Sequence, residues 1–380
     1  MEGSPAIVVM AHARPAATAR LLAGVRSATV PPGTPLVISI DRHDVTGDAV
    51  VDVAESLAWT VGPKRVVTHD AIGLVAHFGA CGDLSREFGS IVLLEDDLFV
   101  GPGFYEWASA ALTFSATDNR IAGVSLATPP FDGYRQLPFE PLDDGSDALY
   151  APIPWYDGMA FRADDWDRYR RSSDHSTVRL HPAFDALDDD EWFPDFIRYL
   201  VATDRVWMLP RASHATGTGA TGAHFDQRTD WFQVPLAARA PSSFRFRSLD
   251  DSLARYDDHM ELVPTVMSAL GVEGAADWIV DLGANRDLRA FAEHLVVTTR
   301  PVDTPIRSWG AAMHPLAMNI VHDEPGDAIH LAPARSVTQG EGAARHADET
   351  LRRHHRLANA SDNTVMRRLG SAMARAMRRG

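Results

Sequence analysis

Residues 91 to 100 read IVLLEDDLFV, so Glu95, Asp96 and Asp97 follow four apolar residues and precede three more. Three adjacent carboxylates inside an otherwise buried run repel one another, and burying even one without a partner is costly. A bound cation, a group of arginines or a strand end opening into water would relieve them. Oxygen-only ligands favour Mg2+ or Mn2+. Such an ion usually keeps one or two protein carboxylates and completes its shell with phosphate oxygens and water. The chemistry suggested is a divalent ion, Mn2+ or Mg2+, holding a diphosphate-bearing substrate. An apolar run ending in acids also fits the Walker B strand of an NTPase, but that requires G-x-x-x-x-G-K-[ST]. Lys64 is the only lysine, preceded by VGP and followed by Arg65, so no such loop exists. An exposed acidic turn after a strand is the plain alternative.

The elements that must position this triplet follow from the periods around it. AIVVMAH (6–12) is a continuous apolar run, typical of a strand covered on both faces. Pro15 suits the first turn of a helix, with Leu21, Leu22 and Val25 at helical spacing. Residues 35–41, 65–70, 90–97 and 120–127 read as further strands, with helices over 49–59, 73–88 and 103–114. Strands alternating with helices predict βαβ units and a mostly parallel sheet, an α/β fold. Ligands bind at the carboxyl ends of such strands, which is where Glu95–Asp97 fall. A period of two would send Glu95 and Asp97 to one face and Asp96 to the other. Beyond 130 come a Pro/Gly/Asp-rich loop (128–147), a short strand and helix (155–171), an acidic stretch (185–200), a strand (205–210) and a glycine-containing loop (213–226). Residues 236–330 are a mixed α/β extension, and 331–363 are polar.

The apolar fraction of 45% allows a sizeable core, and the single cysteine, Cys81, excludes an internal disulfide. No basic n-region opens the chain and no run approaches a spanning length, so a cytoplasmic protein without signal peptide or membrane helix is expected. The net charge of −15 argues against a nucleic-acid binder. Residues 351–380 hold eight arginines and one aspartate, a net +7 against −22 for the rest. Met366, Leu369, Met373 and Met377 recur among those arginines at spacings of three or four. This is a basic amphipathic helix that suits peripheral contact with an anionic membrane through 363–380, or docking on an acidic protein surface. WIVDLGANRDLRAF (278–291) has a methyltransferase-like turn, but it comes late, with one glycine and no second cofactor-binding acid.

GSIVLLEDDLFVGPGFYEW resembles the E-D-D segment of GT-A glycosyltransferases, especially the N-acetylglucosaminyltransferase I-like family and its bacterial relatives. The resemblance runs in order along 6–235. IVVMAHARPAATARLL is similar to the family's opening strand and Arg-containing turn, and VISID to its second strand. PWYDGMAFRADDW is similar to its acceptor-side segment, and ASHATGTGATGAHFDQ to its Gly-x-His-Phe loop. The resemblance implies a nucleotide-sugar-binding half (1–130), an acceptor-binding half (131–235), the extension (236–330) and a polar linker with basic tail (331–380). It implies that Asp97 ligates the metal on the donor diphosphate, while Glu95 and Asp96 contact the donor's sugar and ribose. Arg14 would lie near the diphosphate and Asp41 would face the nucleobase. His224 would be a metal ligand or diphosphate contact. Trp155 and Tyr156 would stack on the acceptor sugar, a buried core role being the alternative.

A nucleoside diphosphate leaves poorly unless a metal neutralises its developing charge, and an inverting transfer needs a base for the acceptor hydroxyl. In the family that base is a carboxylate at a helix start before the strand leading into the His loop. Counting back from Pro210 selects Asp195, with Glu191 and Asp190 behind it. A helix-start acid stabilised by the helix dipole is the other reading of Asp195. The implied activity is metal-dependent transfer from a nucleotide-diphosphate sugar, a UDP-sugar first, to a glycan or lipid-linked glycan. A noncatalytic nucleotide-sugar-binding or glycan-binding module of the same fold is the alternative.

Overall fold

The computed structural model describes residues 4–42, 45–131, 138–172, 175, 177–180, 192–219, 233–241 and 243–338. Two compact units emerge, Met1–Gly133 with Pro141–Val266, and Tyr134–Glu140 with Met267–Gly380. The sequence division at 235/236 therefore differs from the structural one. Residues 245–254 belong with the first unit because they bind its strands. Arg245 N donates to Asp147 Oδ2 (2.7 Å), and Tyr150 Oη donates to the Arg247 carbonyl (2.6 Å).

The first unit is built on β1 (Ala6–Ala11), β2 (Leu36–Asp41), β3 (Lys64–His69), β4 (Ser90–Glu95), β5 (Leu98–Val100), β6 (Ile121–Ser125), β7 (Ala148–Ala151), β8 (Met159–Arg162), β9 (Val206–Pro210) and β10 (Ala215–Gly217). Its helices are α1 (Pro15–Ser27), α2 (Gly47–Ser56), α3 (Leu74–Asp83), α4 (Ser85–Phe88), α5 (Phe104–Ser115), α6 (Ala163–Arg171) and α7 (Trp192–Ala202). Eight strands form one sheet in the order β3-β2-β1-β4-β8-β6-β9-β7, and β5 and β10 pair separately. The first four run parallel, as the βαβ pattern predicts; β8 is antiparallel to both of its neighbours. Every residue of β1 and β2 is buried, which is why these strands read as near-continuous apolar runs rather than alternating ones. Ile7, Val9, Leu22, Ile38, Val92, Leu94, Phe104 and Trp107 share the core behind them.

Three local features differ from the expected pattern. The helix expected over 73–88 breaks at Leu84, whose amide turns back to the Cys81 carbonyl (3.2 Å). β10, of three residues, forms in a stretch read as a loop, and β7, of four, forms just beyond the loop read over 128–147, where no element was expected. Most important, β4 stops at Glu95, so strand alternation does not run through the triplet. Asp96 and Asp97 occupy a turn, after which β5 pairs antiparallel with β10.

Gly158, just before β8, has φ +88°, and a Cβ there would lie 2.8 Å from Leu126 Cδ1. Gly158→Ala therefore combines left-handed strain with overpacking. It is expected to cost about 1–3 kcal/mol, read from denaturant unfolding; a midpoint equal to wild type would contradict this.

In the second unit β11 (Trp278–Asp281) and β12 (Leu295–Thr298) run parallel, and β13 (Arg307–Trp309) and β14 (Ile329–Pro333) complete the order β11-β12-β14-β13. Buried Asp281 accepts from Arg286 N (2.9 Å) and Thr298 Oγ1 (2.9 Å) and pairs with Arg300 (2.9 Å). The acid of the DLGAN turn is thus occupied by its own unit. The basic segment 363–380 lies outside the described residues. Among the described residues, no helix is long and apolar enough to cross a membrane.

Candidate active site at the β1/β4 switch point

The chain passes from β1 outward through β2 to β3, then returns to place β4 on the other side of β1. Crevices at such a reversal, outside the carboxyl ends of the strands, are where open α/β sheets bind ligands. Each strand delivers a polar group there. β1 is followed by His12 and Arg14, β2 ends in Asp41, and β4 ends in Glu95 with Asp96 and Asp97 beyond it. Pro15 takes the first position of α1, leaving Arg14 at the N-cap with no side-chain cap hydrogen bond. Its guanidinium reaches across to the triplet instead.

Arg14 Nη1 donates to Asp97 Oδ2 (2.7 Å), and Arg14 Nε lies 3.4 Å from Asp96 Oδ1. His12 N donates to Asp96 Oδ2 (3.1 Å), and His12 Nδ1 bonds the Asp41 carbonyl (2.7 Å). Asp96 is 4% exposed, whereas Asp97 is half-buried. Thr218 N donates to the Asp97 carbonyl (2.8 Å), clipping the turn to the residue after β10.

A fourth carboxylate, Asp157, belongs to the same cluster. It is 2% exposed and accepts from Trp155 Nε1 (3.3 Å) and from the Gly217 amide. A Cβ on Gly217 would lie 3.5 Å from Asp157 Oδ1, an ordinary van der Waals contact, which places the end of β10 directly against this acid.

The electrostatics follow from this crowding. Burial raises Glu95 well above the usual carboxylate range, and Asp97 and Asp96 raise it further against Arg14. Burial raises Asp96 in spite of Arg14 and the His12 amide. Burial, with Asp97 adding to it, pushes Asp157 up to about 7. For Arg14, burial works downward, but Asp97 and Asp96 outweigh it and hold the guanidinium firmly protonated. Asp96 and Asp97 thus pair with the Arg14 guanidinium, Glu95 lies within its electrostatic reach, and Asp157 adds a further acid beside Asp97. The donor set is oxygen-only and negative in excess, which fits a hard divalent cation such as Mg2+ or Mn2+.

Of the residues selected from the sequence, Glu95, Asp96, Asp97 and Arg14 come together. Asp41 sits at the end of β2, but both its oxygens accept backbone amides, from Ile72 (2.8 Å) and Gly73 (2.9 Å). Its carboxylate shapes the loop between β3 and α3. Trp155 is 3% exposed and stacked on Tyr156, 4.4 Å between centroids. An indole so enclosed has no face for a sugar, which corrects the stacking role for Trp155; Tyr156 is half-buried. Phe193 of α7 packs edge-on against both rings. Two residues on, Asp195 is exposed and accepts from Tyr169 Oη (2.9 Å). Among the described residues no hydrogen bond or ion pair joins Asp195 to the triplet. Glu191 and His224 lie outside the described residues. His77 is buried beside Ser39 Oγ (2.9 Å), and burial lowers it to about 4.

Asp157 and His12 escaped the sequence reading, although both stand inside motifs quoted for it. Among the described residues, one group of three metal-ligating side chains, Asp257, Asp258 and His259, holds its ligand atoms within 4.8 Å of one another, which the four acids of the switch point do not. There Asp257 Oδ1 accepts the His259 (2.9 Å) and Glu261 (3.1 Å) amides, which is the local chemistry of a turn.

No protein-family model matches this chain, and no curated protein matches it. Among solved structures, it is similar to mannosyltransferase PcManGT from Pyrobaculum calidifontis in complex with GDP-Man and Mn2+. The identity is 16% and the TM-score 0.30, over 44% of this chain and 47% of that one. It is also similar to mouse xyloside xylosyltransferase 1 in its apo form, at 13% identity and TM-score 0.33, over 53% of this chain and 82% of that one. The chain thus spans about half the length of the mannosyltransferase. TM-scores this low carry no weight for function, and the chemistry of the site stands on its own geometry.

Proposed function

We propose that this chain is a divalent-metal-dependent glycosyltransferase of the GT-A type. It would move a sugar from a nucleotide-diphosphate donor to a hydroxyl of a glycan or lipid-linked glycan. One observation carries the proposal: Glu95, Asp96 and Asp97 meet Arg14 at the reversal point of a parallel sheet. Asp97, the more exposed acid of the turn, would hold Mn2+ or Mg2+ with Asp96 beside it. The bound ion supplies Lewis-acid neutralisation of the departing diphosphate.

The remaining work falls to the chain's own groups. Arg14, at the start of α1, can give charge-assisted hydrogen bonds to diphosphate oxygens, with the positive end of the helix dipole behind it. The His12 amide holds the Asp96 carboxylate in place. Asp41 orders the loop at the nucleoside end through Ile72 and Gly73. On the acceptor side Tyr156 packs against Phe193 of α7, and Asp195 on the same helix is the candidate base. Its hydrogen bond from Tyr169 Oη would orient the carboxylate toward an incoming hydroxyl. The retaining outcome is tested by the anomeric configuration of the product.

Protons compete with the cation for these raised carboxylates, so binding should release protons. Mn2+ affinity is expected to strengthen as pH rises through about 7, the value to which Asp157 is raised. Titrations across that range check this, and a flat affinity would contradict it. Donor binding is tested by thermal unfolding with nucleotide-diphosphate sugars, with and without Mn2+. A donor at a hundred times its Kd should add about 2.7 kcal/mol to apparent stability, and only with the metal present. The absence of any Mn2+-dependent shift across the nucleotide series would sink the proposal.

A further inference from the structure

Asp157 has two hydrogen-bond donors directed at it, Trp155 Nε1 and the Gly217 amide. A neutral side-chain carbonyl could satisfy both. The chain instead carries a carboxylate there, 2% exposed, beside Asp97 and Glu95. An ionised acid at such a position destabilises the fold through lost hydration and like-charge repulsion. That cost is offset when a cation binds next to it. Asp157 also stands where three parts of the site converge. Trp155 leads to the aromatic pair with Tyr156, Gly217 ends β10, and the next residue, Thr218, holds the Asp97 carbonyl.

We propose that Asp157 is a positioning residue of the cation centre. Its carboxylate does not ligate the ion but adds charge behind Asp97. At the same time it fixes β10 and the Trp155–Tyr156 wall relative to the metal turn. This rests on the reading of Glu95–Asp97 as a cation site. Outer carboxylates of this kind tune metal affinity without touching the metal.

The test is Asp157→Asn, which keeps an acceptor for both donors and removes the charge. Two quantities are measured above neutral pH, the Mn2+ dissociation constant and the unfolding temperature without metal. Mn2+ affinity is expected to fall about tenfold, while the metal-free unfolding temperature stays level or rises. A merely structural carboxylate would give the opposite pair, unchanged Mn2+ affinity with a lower unfolding temperature. Either of those results overturns the inference. Wild-type protein that fails to bind Mn2+ overturns the parent reading together with this one. Wild-type binding matched by an equally tight Asp157→Asn overturns this one alone.

Discussion

Asp97→Ala is expected to abolish Mn2+-dependent donor binding and to lower kcat/KM for the donor by about a thousandfold. That corresponds to losing several kcal/mol of charge neutralisation in the transition state. Of the three acids, Asp97 alone combines three properties. It lies in the turn beyond β4, keeps part of its surface open, and is bound directly by Arg14 (2.7 Å). Glu95 sits within the strand, and Asp96 is held by the His12 amide and almost fully enclosed. Removing Asp97 also relieves repulsion on Glu95 and Asp157, so the metal-free fold should be no less stable than wild type. Lost activity together with a retained unfolding midpoint is the expected signature. Activity within about tenfold of wild type would be too small an effect for a residue supplying Lewis-acid placement.

The largest effect on stability is expected away from the acids, at Asp165. Its side chain is 2% exposed, bound by Arg162 Nη2 (2.7 Å) and Arg168 Nη1 (3.2 Å), and also by Arg205. Arg205 in turn donates to Tyr199 Oη (2.8 Å) and the Asn119 carbonyl (2.8 Å), so one buried network ties α6, α7 and the start of β6 together. Asp165→Ala leaves Arg162 and Arg205 buried without their counter-ion, a change that costs about 3–5 kcal/mol. The expected consequence is a large drop in the unfolding midpoint. Activity per folded molecule should also fall, because α6 carries the Tyr169 that orients Asp195. Pairing Asp165→Leu with Arg205→Met should recover part of the loss, since the more deeply buried of the two unpaired charges is then gone. A single-mutant midpoint within about 1 kcal/mol of wild type would show that the network contributes little.

The parallel half of the sheet was legible because β1, β2 and most of β4 are buried on both faces and its helices are not. AIVVMA is apolar throughout and LVISID is interrupted before its end only by the small Ser39, whereas Leu21, Leu22 and Val25 recur at helical spacing. The triplet was legible for the opposite reason, since acids in an apolar run contradict their surroundings. Arg14 was assigned through the resemblance of IVVMAHARPAATARLL to the family's opening strand and Arg-containing turn. β7 and β10 were not legible, as a three- or four-residue strand depends on a distant partner rather than on its own period. The same holds for Asp157. Its burial arises from contact between the Trp155 segment and β10, a juxtaposition with no local trace. Trp155 illustrates a different limit. Composition marks an aromatic pair, but only packing decides which ring keeps an open face, and here the tryptophan is enclosed.

The central claim is metal-dependent sugar transfer at Glu95–Asp97. Its most direct measurement is release of nucleoside diphosphate from a panel of nucleotide sugars, with glycan acceptors present. The reaction is followed with Mn2+, with a chelator, and in Asp97→Ala. The account expects turnover of at least one donor with Mn2+, halted by the chelator and absent from the variant. Tight Mn2+-dependent binding of a nucleotide sugar, with no turnover of any donor or acceptor, would contradict it and make the chain a binding module.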